Sequence, residues 1–132
     1  MRALVISADP DVRRRLAVAL RTTERRTGEG WEFLEAANGI EGIRTAWRVL
    51  PDLVVADEIA SGAGAFAVAK DLRGQMQPFP GMIVVVLARK QDAWLARWAG
   101  ADAWITRPID PFELADAVGA LIEKRTVAEG AP

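Results

Sequence analysis

Pro51-Asp52-Leu53-Val54-Val55-Ala56-Asp57-Glu58 is the stretch on which the fold turns. Four consecutive apolar residues with no polar alternation describe a strand covered on both faces, as in a parallel sheet. Pro51 closes the helix before it, because it lacks an amide donor and its ring clashes with the preceding turn. The run ends on two carboxylates, Asp57 and Glu58, so charge stands at the carboxyl end of a buried strand.

The same grammar repeats on either side. Ala3-Leu4-Val5-Ile6 and Met82-Ile83-Val84-Val85-Val86-Leu87 are further continuous apolar strands, and Trp31 to Ala36 and Ala103 to Thr106 complete five. Between them lie helical stripes, one through Val12, Leu16 and Leu20, one through Ile40, Ile43 and Trp47. Two more run through Phe66, Val68 and Leu72 and through Trp94, Leu95 and Trp98, and the last from Phe112 to Ile122. Asp9-Pro10 and Asp110-Pro111 each pair a capping carboxylate with a proline at the first helical position. Gly100 is positioned to stop the tryptophan-bearing helix. Thr22 to Gly30, ending in Gly28-Glu29-Gly30, reads as a polar loop, as does Ser61 to Gly64, and the chain from Thr126 as a frayed tail.

Strands alternating with helices predict a doubly wound parallel sheet with helices on both faces, an α/β fold. In such a sheet the chemistry belongs at the carboxyl ends of the strands. That gathers Ser7-Ala8-Asp9, Asp57-Glu58, Leu87-Ala88 and Thr106-Arg107 around one mouth.

Composition narrows the options. The 132 residues fit a single domain, and 51% hydrophobic with 27% charged residues reads as globular. A net charge of −1 gives no basic field for nucleic acid, and no basic amphipathic helix or long apolar span addresses a membrane. Cysteine and histidine are absent from the sequence, which removes thiol chemistry and the commonest base and metal ligand. The expected location is the cytoplasm, and no enzymatic activity is expected.

Several stretches in order resemble the receiver domains of bacterial response regulators. They are Asp9 to Arg14, Ala37-Asn38-Gly39-Ile40-Glu41-Gly42, Pro51 to Asp57, and Ala99 to Pro108, with Asp110 to Leu114 opening the last helix. The resemblance implies a flavodoxin-like sheet of strand order 2-1-3-4-5, a receiver-like domain over 1–125 and a flexible tail over 126–132. It puts Asp57 at the position of the phosphoryl acceptor, with Ser7 and Ala8 where an acidic pair holds Mg²⁺. Leu87 stands in place of a hydroxyl residue, Arg107 in place of a lysine before a cis proline, and Trp104 in place of the aromatic switch residue. Ser61 and Gly64-Ala65 replace the proline and the Asp-Gly of the loop after the acceptor.

These departures change the expected chemistry. Mg²⁺ requires several oxygens in octahedral array, and Ala8 has none while Ser7 offers a neutral hydroxyl. Asp9 is expected to cap its helix, and Glu58 to start on the other side of the strand. No metal or other cofactor is therefore expected, and Mg²⁺ enters only if Asp57 accepts phosphate. Arg107, permanently charged and suited to two-point pairing with carboxylates, is expected to hold Asp57 in an ion pair. The Arg13-Arg14-Arg15 run reads as solvated helix charge. Trp94, Trp98 and Trp104 are expected to form a partner face on the fourth helix, fifth strand and fifth helix. The expected function is a degenerate, stand-alone receiver acting in trans as an interaction module, through a protein partner or a homodimer. The alternative is a phospho-accepting receiver served at Asp57 by a histidine kinase.

Overall fold

The computed structural model describes residues 1–58 and 64–130, so Ser61 lies outside the described residues. Five strands, β1 (Arg2–Ile6), β2 (Glu32–Ala36), β3 (Leu53–Asp57), β4 (Met82–Leu87) and β5 (Ala103–Thr106), form one sheet. Its order is β2-β1-β3-β4-β5, and every neighbouring pair is parallel. The helices are α1 (Pro10–Arg21), α2 (Glu24–Thr27), α3 (Gly39–Val49), α4 (Ala65–Arg73), α5 (Ala93–Ala99) and α6 (Pro111–Gly130). A single 3₁₀ turn, Lys90–Asp92, leads directly into α5.

Side chains alternate across a strand, so odd and even residues part to opposite faces. Ala3, Val5, Leu53, Val55, Val84, Val86 and Ile105 meet Val12 and Leu16 of α1 and Leu114 and Val118 of α6. Leu4, Ile6, Val54, Ala56, Ile83, Val85 and Leu87 meet α3, α4 and α5 on the other face. The caps stand as read: Asp9 accepts from the Asp11 amide at 2.8 Å and Asp110 from the Phe112 amide at 2.9 Å. Gly100 takes φ 93° after α5. Such a positive φ is open to glycine at no steric cost.

One expectation needs correction. The Thr22–Gly30 segment contains a short helix, α2, tied to α6 where Arg26 bonds Glu123 at 2.7 Å. The last helix extends to Gly130. Its Thr126 hydroxyl returns a bond to the Ile122 carbonyl at 3.0 Å. Among the described residues, no helix is long and apolar enough to cross a membrane.

Candidate functional site

Ser7, Asp57 and Arg107 extend the odd-numbered rows of β1, β3 and β5 by one step past the apolar residues. Alternation thus turns all three toward the α1 and α6 side, at the carboxyl ends of the strands. Asp57 is buried, its side chain 2% exposed, and Arg107 comes in from the rim at 28%. One oxygen of Asp57, Oδ2, accepts from Arg107 Nη2 at 2.5 Å and from the Ser7 hydroxyl at 2.8 Å. The expected ion pair is present, but by one nitrogen: Arg107 Nε is buried with no hydrogen-bond partner. The Arg107–Pro108 peptide is cis, as the resemblance implies.

The neighbouring oxygens are engaged elsewhere. The Ser7 hydroxyl also accepts from the Asp9 amide at 3.2 Å, while the Asp9 carboxylate caps α1. The Ser7 carbonyl accepts from Arg13 Nη1 at 2.7 Å, and Arg13 Nε bonds Glu35 at 2.9 Å. Arg13 therefore separates from its two arginine neighbours: it is a half-buried part of the mouth rather than a solvated charge. Its position was hidden because three consecutive arginines point three ways round a helix. Ala8 is exposed and contributes no side-chain oxygen.

On the opposite side of the sheet, Leu87 is fully buried in the core formed with α3, α4 and α5. Glu58, of the same parity as Ala56, reaches across to β4, and its Oε2 accepts from the Ala88 amide at 2.5 Å. Its own amide donates to the Val86 carbonyl at 3.0 Å. Glu58 thereby ties the end of β3 to the start of the segment leading into α5, a link that strand patterns do not reveal.

A divalent cation beside Asp57 would need oxygens that this arrangement does not offer. Two guanidinium groups occupy the surroundings, the nearby Ser7 hydroxyl is already bonded on both sides, and Asp9 serves its helix. Among the described residues, no three of His, Cys, Asp and Glu cluster closely enough to hold a metal ion. Among the described residues, the side chains at the mouth do not fit Mg²⁺.

The tryptophans divide. Trp94 and Trp98 on α5 are 64% and 60% exposed, while Trp104 on β5 is half-buried against the α4 and α5 core. Lys70 Nζ of α4 lies 4.0 Å from the Trp98 ring centre, and the Arg97 guanidinium 5.7 Å from that of Trp104.

No family model matches the chain. It is similar to an uncharacterized response regulatory protein of Mycobacterium tuberculosis, 32% identical over 122 residues, covering 92% of this chain and 91% of that protein. The DNA-binding response regulator MtrA of Mycolicibacterium smegmatis is 29% identical over 126 residues, 93% of this chain but 51% of that protein. The exclusion of nucleic acid drawn from net charge does not extend to such longer relatives. The crystal structure of a LuxR-family two-component response regulator from Aurantimonas superposes with TM-score 0.74 at 28% identity, over 93% of this chain and 85% of that one. A CheY-like receiver domain protein from Methanospirillum hungatei gives 0.78 at 20% identity, over 98% of both, and shows the fold. With a relative so similar along nearly its whole length and a sheet of the receiver order, this chain belongs to the response regulators of two-component signalling, as a CheY-like receiver domain.

Proposed function

We propose that this receiver works as a protein-interaction module, with Asp57 at the acceptor position held in a standing ion pair in place of a Mg²⁺-dependent phosphorylation cycle. The observation that carries the reading is the convergence of Arg107 Nη2 and the Ser7 hydroxyl on Asp57 Oδ2. A phosphoryl donor approaches a carboxylate only if its negative charge is neutralised, a task the metal performs in phosphoryl transfer. Here the available cation is already on the nucleophile, and it withdraws electron density from the oxygen that would attack. Leu87 offers no hydroxyl to draw the loop after β4 toward an arriving anion. Signals then pass by binding at the α5, β5 and α6 face, where Trp94 and Trp98 stand in water. Tryptophan concentrates binding energy at protein interfaces. A protein partner is the proposed occupant, and no nucleic acid is assigned to the domain itself.

The test is direct. The chain is incubated with beryllofluoride and Mg²⁺, and separately with acetyl phosphate and Mg²⁺, and followed by indole NMR and intact mass. No adduct and no spectral change are expected. A Mg²⁺-dependent adduct lost in Asp57→Ala would establish instead a phospho-accepting receiver, with a histidine kinase as its donor.

A further inference from the structure

We propose that the groove between α3 and α4 binds a small organic ammonium ion, with the Trp47 ring as its seat and the Asp71 carboxylate as its counter-charge. The groove shares no residue with the mouth, so the assignment stands whatever the chemistry at Asp57.

The groove has a volume of about 600 Å³ and is lined by Ile43 and Trp47 of α3, Asp71 of α4, and Gln75, Met76 and Gln77 of the segment that follows. Spaces of this size accept small molecules. Ile43 and Trp47 stand four apart on one helix, so they share a face and make an apolar floor. Met76 is fully exposed, a large apolar side chain left in water beside them.

The aromatic ring is fixed in place. Its indole N–H donates to Asp71 Oδ1 at 3.1 Å, and the ring packs edge-to-face on Phe79 with centroids 6.2 Å apart. A ring held before the ligand arrives costs little to order on binding. A carboxylate accepting the N–H also leaves the ring richer in electrons, which strengthens its pull on a cation.

Asp71 keeps its charge uncompensated. Among the described residues, no cation stands within ion-pair distance of it. Its basic neighbours on α4 are committed elsewhere. Lys70 lies over the Trp98 ring, and Arg73 bonds Asp102 and the carbonyls of Gly100 and Phe79. Arg44 and Arg48 of α3 are exposed and do not line the groove. Trp47 and Asp71 each lie in the last turn of their helix, where the helix dipole is negative and favours cations.

An ammonium head on a short aliphatic body answers these features together. The charge meets Asp71, the head rests against the ring, and the chain covers Ile43 and Met76. A bare divalent ion would find one carboxylate where it needs several oxygens, and an anion would face Asp71 directly.

The full chain, labelled at nitrogen, is titrated with n-butylammonium chloride and followed by NMR. The Trp47 indole resonance should move saturably in the millimolar range. Equal concentrations of n-butanol, sodium butyrate or potassium chloride should leave it in place. Asp71→Asn keeps an acceptor for the indole and removes the charge, and should weaken binding about tenfold. Gln77→Glu adds a carboxylate to the lining and should tighten it about threefold. Circular dichroism and melting temperature should be unchanged in both variants. If Asp71→Asn disturbs the fold, the gain of affinity in Gln77→Glu decides alone. The proposal is overturned if n-butanol moves the resonance as far as butylammonium, or if Asp71→Asn binds as tightly as the parent. Shifts confined to Trp94 and Trp98, or no gain in Gln77→Glu, would overturn it equally.

Discussion

A guanidinium at position 107 changes what the carboxylate at position 57 can do, because it sets a cationic donor on the carboxylate oxygen itself. Removing it takes the cationic donor from a buried carboxylate that also accepts from the Ser7 hydroxyl. Arg107→Ala is expected to cost about 1–3 kcal/mol, since hydrogen bonds to charged groups contribute in that range and the lost partner is not replaced by bulk water. The lower half is favoured by geometry: only Nη2 bonds, and the buried Nε has no partner to lose. Urea denaturation checks this, and a change below about 0.5 kcal/mol, the level of an ordinary surface substitution, would mean that the pair is idle. The pairing itself was legible in the sequence, because a strand-end carboxylate and an arginine before a proline share one mouth. Its one-point geometry was not legible, and neither were the contacts of Arg13 and Glu58. Those depend on rotamers chosen by neighbours from other strands, which no local pattern encodes.

Elements were read best where burial is two-sided and worst where helices are polar. The runs at Leu53 and Met82 are unmistakable because a parallel sheet tolerates no polar alternation. Helix α2, Glu-Arg-Arg-Thr, has no apolar stripe to announce it and is held by Arg26 on α6. The helix end at Leu50 shows how a boundary rule becomes a structure. A residue before proline is disfavoured in the right-handed helical region, and Leu50 takes φ 51°, ψ 61°, its amide returning to the Ala46 carbonyl. A side chain in this left-handed region is strained by roughly 1–2 kcal/mol. Leu50 is largely exposed, so little packing opposes its replacement. Leu50→Gly should therefore stabilise the fold by about 0.5–1 kcal/mol after glycine's greater unfolded-state entropy is subtracted. Calorimetry should register a rise of about 2–5 °C, and a fall would show that Leu50 contributes packing that its exposure conceals.

Across the whole molecule, strand parity divides the mouth between two faces, and this decides which substitutions can reach the tryptophans. Ser7, Asp57 and Arg107 belong to the side of α1 and α6, whereas Glu58 and Leu87 belong to the side of α4 and α5. Coupling between distant sites requires a physical element that both ends bias. Across the sheet plane Asp57 has no hydroxyl residue on β4 to pull. Glu58, by contrast, holds the Ala88 amide at 2.5 Å, two residues before the 3₁₀ turn that opens α5. The expected route from the mouth to Trp94 and Trp98 is therefore through Glu58. Labelled indole resonances of Trp94 and Trp98, together with hydrogen exchange at Ala88, test the division. Glu58→Ala should shift both resonances and speed exchange at Ala88 by about tenfold, the equivalent of losing a bond of roughly 1.4 kcal/mol. Glu58→Gln, which keeps an acceptor oxygen, should restore most of the protection. Arg107→Ala should lower stability yet leave both indoles where they are. Equal movement of the indoles in Glu58→Ala and Arg107→Ala would contradict the division, and would mean that the ion pair and the partner face act as one unit.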